Sequence, residues 1–109
     1  MMIEKEYNFK TASDAKLIEK IISDENIDLN HVIFHKGQAL PEHYSNSNVY
    51  LIVISGNISV QLNDQKTNIY NKGSIVNVPY KTKMNISNQH DELLEFFIVK
   101  APSPKRFSN

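Results

Sequence analysis

Histidine offers the widest chemistry in this sequence, because the chain contains four histidines and no cysteine. The lack of cysteine excludes disulfides, thiolate zinc sites, iron–sulfur clusters and thiol catalysis. His31 and His35 are four residues apart in one apolar segment, which on a strand places them on one face but about 13 Å apart. They are too far apart to chelate one ion, and we expect them to face the surface or a partner. His90 lies in a polar turn, where we expect it to be exposed to solvent.

His43 lies in a segment that begins at Gly37 and ends at Gly56. This segment resembles the first motif of the cupin family, which runs from a glycine through a His-x-His pair and a glutamate to a closing glycine. Here five residues separate Gly37 from His43, as in that motif. Ser45 stands at the second histidine position, and Val49 stands at the glutamate position. The glycines of the motif are therefore present, whereas only one of its metal-ligand positions is.

A second segment resembles the other cupin motif, which runs from a glycine through a Pro-x-Gly turn and a histidine to an asparagine. Gly73, Pro79 and Asn88 stand at the expected spacing. Lys81 replaces the second glycine, and Met84 replaces the histidine. Most of the positions that match are glycines or a proline. Glycine permits positive φ and proline fixes a bend, so these are residues that suit corners of the chain.

The elements that must position these residues are strands. From Ile27 onward, apolar runs of about four to eight residues are separated by turn residues, which predicts a sandwich or barrel. The resemblance, which is to small single-domain cupins of the conserved-barrel (cupin 2) type, implies an all-β double-stranded β-helix (jelly-roll) barrel over residues 16–100. It also implies a strand at Leu17–Ile22, where apolar spacing alone favours a helix. Residues 1–15 are interpreted as an N-terminal leader, and residues 101–109 as a loose C-terminal tail.

The resemblance implies a place for one divalent metal, which family members hold with three histidines and one glutamate. Only His43 is retained at those ligand positions, so we interpret the site as a degenerate metal site. One imidazole binds a transition metal weakly, because no chelation offsets the entropy cost. We therefore expect no cofactor; the alternative is a divalent transition metal bound at His43 through unexpected ligands.

The motif positions also predict a ligand pocket inside the barrel, with mostly apolar walls. An apolar residue at the position of a metal ligand makes such a pocket drier. The predicted pocket residues are His43, Ser45, Val49, Leu51, Met84 and Ile86. One histidine and one serine among apolar walls suit a small apolar or mixed-polarity ligand. A barrel interior filled by its own side chains fits the same pattern.

These features support three functions, and whether the protein is an enzyme stays open. The first function is a metal-independent small-molecule-binding or regulatory module. The alternative is a small cupin enzyme, either metal-dependent through non-standard ligands or a metal-free acid–base isomerase that uses His43 and a tyrosine. Tyr44, Tyr50 and Tyr80 flank the motifs, and we interpret them as packing or interface residues. The third function is a purely structural dimer.

Composition narrows the partners and the compartment. Twelve basic and twelve acidic residues give zero net charge, which argues against nucleic acid and anionic membrane as partners. No apolar run approaches the roughly 18 residues that a membrane span needs, and the charged start lacks the apolar stretch of a signal peptide. We therefore expect a cytoplasmic protein. Residues 49–55 are apolar on both strand faces, which predicts that a homodimer covers the outer one.

Overall fold

The computed structural model of the protein describes residues 2–107. Over that range, nine β-strands precede one 3-10 turn at Pro104–Phe107. The strands are β1 (Leu17–Ser23), β2 (Asp28–Phe34), β3 (His43–Tyr44), β4 (Val49–Ser55), β5 (Asn57–Leu62), β6 (Asn68–Asn71), β7 (Ile75–Val78), β8 (Lys83–Ser87) and β9 (Leu94–Lys100). Within residues 2–107, no helix is long and apolar enough to cross a membrane.

The strands form two antiparallel sheets that share one core. The first sheet has the order β1-β2-β9-β4-β7, and the second has the order β3-β8-β5-β6. Successive strands such as β4 and β5 lie in different sheets, so the chain crosses repeatedly between them. This is the arrangement of a jelly roll, and the predicted all-β fold is confirmed. The strand predicted at Leu17–Ile22 is confirmed as well.

A single hydrophobic core fills the space between the sheets. Successive residues of a strand point to opposite faces, so each strand supplies its alternate residues to the core. Phe34 of β2 and Phe96 of β9 meet edge to face, with ring centroids 5.8 Å apart. The core consists of Val32, Phe34, Val49, Leu51, Val53, Ile58, Val60, Val78, Met84, Ile86, Leu94, Phe96 and Ile98.

Gly56 forms the corner at which the chain leaves β4 and enters β5 in the other sheet. Its φ is 79°, a conformation that residues with a side chain rarely adopt. A Cβ atom at this position would lie 2.3 Å from the carbonyl oxygen of Leu93. The corner therefore requires glycine both for its backbone conformation and for the close approach of the chain before β9.

The N-terminal segment lies against the outer face of the first sheet. Phe9 contacts the rings of His31 and Phe97, with centroid separations of 4.8 and 5.0 Å. The backbone N–H of Lys10 donates a hydrogen bond of 3.0 Å to Oε1 of Glu19. The segment thus covers part of an outer sheet face, while the boundary drawn at residue 15 stays a prediction.

The C-terminal segment is also packed, which corrects the expectation of a loose tail for residues 101–107. The backbone N–H of Ser103 donates to the carbonyl of Asn26 at 3.1 Å, and Ser103 is fully buried. Phe107 stacks on Tyr80 with ring centroids 4.2 Å apart. Its prolines prevent a further strand but leave these contacts available. Residues 108–109 of the predicted tail lie outside the described residues.

Candidate ligand-binding site

A cavity of about 130 Å³ lies between the two sheets. Its wall consists of side chains from both sheets and from the loop between β2 and β3: Ile18, Asn30, Leu40, His43, Val49, Leu51, Met84, Ile86, Ile98 and Lys100. Ile18 of the edge strand β1 is 49% exposed, so its side of the wall marks the opening. The cavity is a small chamber inside the barrel with one partly open side.

Five of the six predicted pocket residues meet at this wall: His43, Val49, Leu51, Met84 and Ile86. Val49 and Leu51 are fully buried inward residues of β4, and Met84 of β8 is 3% exposed. Met84 lies directly opposite His43 in the antiparallel pair of β3 and β8. Strand alternation therefore produces the apolar wall from residues that the sequence already placed on one face.

Ser45, the sixth predicted pocket residue, does not line the cavity. Its hydroxyl donates to the carbonyl of Pro79 at 2.6 Å and accepts from the backbone N–H of Thr82 at 2.9 Å. The prediction was wrong because β3 ends at Tyr44, so the alternation that would place residue 45 beside His43 stops one residue earlier. Ser45 is a buried structural residue that ties the loop after β3 to the start of β8.

The ring of His43 is held through one nitrogen, and the other nitrogen has no partner among residues 2–107. Its Nδ1 lies 2.8 Å from the carbonyl oxygen of Pro41. A carbonyl only accepts hydrogen bonds, so Nδ1 carries the proton and donates. In the neutral ring, Nε2 is then the nitrogen with a free lone pair, able to accept a hydrogen bond or a proton.

Two polar wall residues, Asn30 and Lys100, were missed by the sequence analysis. Asn30 faces inward from β2 and pairs with Ile98 of β9, two residues before Lys100. Asn30 and Lys100 are therefore diagonal neighbours on one sheet face, about 7–8 Å apart. Among the described residues, Oδ1 of Asn30 is buried and finds no hydrogen-bond partner. No signal in the sequence marks either residue, because β2 and β9 carry apolar residues on both faces and only their register shows which face is inward.

The ammonium group of Lys100 is partly desolvated by its position in the wall. Burial lowers the pKa of Lys100 below the ordinary value of 10.5; Asp28 on β2 raises it by a smaller amount, and Lys20 lowers it. A half-buried lysine whose ammonium contacts no carboxylate among the described residues gains from an anion that reaches it. The cavity thus combines an apolar interior with a cationic group, an open acceptor and a histidine.

The family is decided by a relative from the archaeon Methanocaldococcus jannaschii. That uncharacterized protein is 45% identical over 107 residues, which are 98% of this chain and 92% of the relative. Its crystal structure, that of an RmlC-like cupin family protein with a double-stranded β-helix fold, covers all of both chains with a TM-score of 0.96 and 44% identity. This chain belongs to the RmlC-like cupin family.

More distant cupins share the fold alone. An RmlC-like cupin from Desulfovibrio desulfuricans has a TM-score of 0.75 at 20% identity, covering 92% of this chain and 98% of its own. A cupin-like protein from Thermotoga maritima has a TM-score of 0.73 at 22% identity, with coverages of 90% and 80%. No family model matches the chain. The double-stranded β-helix that the cupin resemblance implied is confirmed.

The metal that many cupins hold does not fit the residues of this one. Of the four family ligand positions, His43 supplies an imidazole, while Val49 and Met84 supply no oxygen or nitrogen donor. The hydroxyl of Ser45 is occupied by two backbone groups. Within residues 2–107, no three histidine, aspartate or glutamate side chains come together as a metal-binding group. We derive no chemistry through a metal at this site.

The remaining candidates of this cupin lie away from the cavity. His31 is fully buried, with Nδ1 2.8 Å from Glu19 and Nε2 2.6 Å from Glu95, so the expected surface histidine was wrong. His90 is half-buried instead of exposed, because its turn folds back through hydrogen bonds to Asn88.

The tyrosines that flank the motifs also point elsewhere. Tyr44 is 64% exposed, and Tyr80 stacks on the C-terminal Phe107. The hydroxyl of Tyr50 accepts a hydrogen bond from Asn48 at 3.1 Å. None of these three described tyrosines belongs to the cavity wall, so His43 has no tyrosine partner there for acid–base chemistry.

Proposed function

We propose that this cupin is a metal-independent module that binds, or responds to, a small molecule with an apolar body and one polar end. The observation that carries the proposal is the cavity, whose apolar walls enclose a space next to polar groups without partners. A buried acceptor without a donor costs free energy. A bound ligand that supplies the missing hydrogen bond recovers it, which is how a binding site differs from a filled core.

The volume of the cavity limits the size of the ligand. Pockets for drug-sized molecules measure roughly 300–1,000 Å³, whereas this cavity has about 130 Å³. An apolar protein cavity of roughly 150 Å³ holds one benzene molecule. The part of the ligand that the cavity encloses is therefore expected to have at most about six non-hydrogen atoms, with any further polar atoms at the partly open side.

Binding is tested by titrating small alcohols and acids of this size into the ¹⁵N-labelled full chain and recording amide chemical shifts. Shifts are expected at the residues that line the cavity, and the melting temperature should rise with ligand concentration. Leu51→Phe fills the cavity and should abolish the shifts. Ile69→Phe, the matched enlargement at a residue of β6 that is 53% exposed, should leave them. Shifts scattered over the surface would contradict a cavity ligand.

Metal independence is tested by elemental analysis of protein purified without a metal-affinity tag. We expect well under one equivalent of iron, manganese, nickel or zinc. The double variant Val49→Glu, Met84→His serves as a positive control, because it adds a carboxylate and an imidazole beside His43. Stoichiometric, tightly held metal in the native protein would instead favour the metal-dependent enzyme that uses non-standard ligands.

A metal-free acid–base enzyme is the second candidate, and the free Nε2 of His43 favours it. General acid–base catalysis needs a group of suitable pKa within hydrogen-bond reach of the proton that moves. The lone pair of Nε2 is available to take such a proton. Exchange of a carbon-bound proton of the ligand for deuterium, abolished in His43→Gln, would support this reading. Ligand binding without deuterium exchange would contradict the enzyme and support the binding module.

We also propose that the protein acts as a homodimer in the cytoplasm. The support is the part of the outer sheet face beyond Phe9, where Ile54 and Ile75 are 45% and 66% exposed. Tyr50 and Ile52 on the same face are half-buried. Light scattering at micromolar concentration is expected to give about twice the chain mass of 12.5 kDa. A mass equal to that of one chain would refute the dimer.

A further inference from the structure

The charges around the cavity are unbalanced toward the positive. Its two titratable wall residues, His43 and Lys100, are both bases, and no carboxylate lines it. Within residues 2–107, the ammonium of Lys100 forms no ion pair and no hydrogen bond. Asp28 faces Lys100 across the strand pair, and its side chain is paired with the hydroxyl of Ser103 at 3.4 Å. Asp28 therefore attracts Lys100 from outside the wall without contacting it, and no anion lines the described wall itself.

We infer that the ligand of this cavity is a short 2-hydroxy acid with a branched apolar chain. Lys100 holds the carboxylate, Oδ1 of Asn30 accepts from the neighbouring hydroxyl, and the chain fills the space between β4 and β8. The inference rests on the proposed binding function and adds the chemical class of the ligand. The carboxylate, the hydroxyl and the apolar chain of the ligand are each inferred from a separate feature of the wall.

The carboxylate of the ligand pairs with the ammonium of Lys100. A hydrogen bond between an ammonium and a carboxylate is about twice as strong as a neutral one. The partial burial that weakens hydration of Lys100 also weakens screening of this contact. A neutral ligand of the same shape would leave the ammonium without a partner.

The hydroxyl of the ligand donates a hydrogen bond to Oδ1 of Asn30. Oδ1 of Asn30 can only accept, and an ionised carboxylate has no proton to donate. A ligand that reaches both residues must therefore add a donor next to its carboxylate. A hydroxyl on the adjacent carbon satisfies the diagonal spacing of Asn30 and Lys100, which is about 7–8 Å between their positions on the sheet.

The apolar chain of the ligand packs against the remaining wall residues. Val49, Leu51, Ile86 and Ile98 are aliphatic and less than one tenth exposed, so they accept a branched aliphatic group without any polar atom. In the acid 2-hydroxyisovalerate, the branched apolar chain is smaller than benzene and fits the cavity volume, while the carboxylate reaches the half-buried Lys100. Longer hydroxy acids would exceed that volume.

The test compares three probes by chemical-shift titration of the labelled full chain: 2-hydroxyisovalerate, isovalerate and 3-methylbutanol. Isovalerate lacks the hydroxyl, and its dissociation constant should be about three- to tenfold higher than that of 2-hydroxyisovalerate. The neutral alcohol lacks the carboxylate and should bind about tenfold more weakly or worse. This ranking is measured on the native protein and does not depend on any variant.

Two variants locate the effects. Lys100→Gln should erase the preference for acid over alcohol, whereas Lys66→Gln, the same change at an exposed loop position, should keep it. Asn30→Leu should erase the preference for the hydroxy acid over isovalerate. If the alcohol binds the native protein as tightly as either acid, the inference fails while the binding function stands. If none of the probes binds in the cavity, and no alcohol or acid of similar size does, the binding function itself fails.

Discussion

The outer face of the first sheet and the cavity on its inner side each contain a histidine, and the two histidines use their ring nitrogens differently. On the outer face, both nitrogens of His31 contact carboxylates, those of Glu19 and Glu95. Its ring lies between the rings of Phe9 and Phe97, with centroids 4.8 and 4.9 Å away. Nothing in this cluster is left for a ligand to satisfy.

In the cavity, the polar groups are only partly satisfied. His43 has a partner at one nitrogen, Asn30 has an open acceptor, and the ammonium of Lys100 contacts no carboxylate among the described residues. The comparison shows that burial of a histidine does not by itself indicate function. A histidine whose partners are all supplied by the protein stabilises the fold, whereas unsatisfied neighbours at a cavity indicate a binding site.

The largest effect is expected from removing the outer histidine. His31→Leu leaves two neighbouring carboxylates without the ring that separates them, and it should lower the free energy of unfolding by about 2–4 kcal/mol. His43→Leu should cost less than about 1 kcal/mol, because it breaks one hydrogen bond at a half-exposed position. Urea denaturation of both variants measures the difference. Equal losses in the free energy of unfolding would contradict the distinction between a histidine that stabilises the fold and one at a binding site.

A smaller loss is expected from uncovering His31. Phe9→Ala removes the ring that packs on His31 and Phe97 and should lower the free energy of unfolding by about 1 kcal/mol. Tyr7→Ala is the matched control, because Tyr7 is 46% exposed against 45% for Phe9. Denaturation midpoints that shift equally for both variants would show that the N-terminal segment does not cover the cluster.

In the cavity, removing the charge of Lys100 should stabilise the fold, whereas removing His31 or Phe9 on the outer face should destabilise it. Because burial lowers its pKa, the charged form is disfavoured in the folded state and its cost is present at neutral pH. That cost is relieved as pH rises from the lowered pKa toward 10.5. Lys100→Met should therefore raise the free energy of unfolding at pH 7, by less than about 1 kcal/mol because solvent screens the half-exposed ammonium. A destabilised variant would mean that the ammonium has a partner in the fold.

The smallest effect is expected at acidic pH on the outer face. The hydrogen bond from His31, followed by that from the backbone of Lys10, holds the pKa of Glu19 below its ordinary 4.5. The resulting stabilisation is complete above that value and is lost as pH falls through the lowered pKa. The amide signal of Lys10 should report this loss, and Glu19→Gln should flatten its pH dependence. A Lys10 signal that is unchanged by this variant would contradict the contact.

The sequence predicted the frame of this protein better than its chemistry. Gly56 and Pro79 mark corners by local backbone geometry, so a single chain reveals them. The apolar wall followed from strand alternation, which Val49 and Met84 obey. Ser45 was misplaced because alternation ends where the strand ends, a boundary that one sequence does not define.

The polar partners could not be predicted, because they are distant in sequence. Glu19 and Glu95 are 12 and 64 residues from His31, and only the pairing of β1, β2 and β9 brings them together. Asn30 and Lys100 belong to strands at opposite ends of the chain. Which of their faces is inward follows from the register between β2 and β9, a tertiary property.

Ile18 has a consequence for how quickly the cavity exchanges its contents. It is the half-exposed part of the wall and belongs to β1, the edge strand of its sheet. Exposed side chains change rotamer within picoseconds to nanoseconds, so a small molecule passes without separation of the sheets. Association is then limited by encounter, and differences in affinity among ligands appear as differences in residence time. For the ligand that we propose, occupancy of the cavity would then follow the free ligand concentration closely.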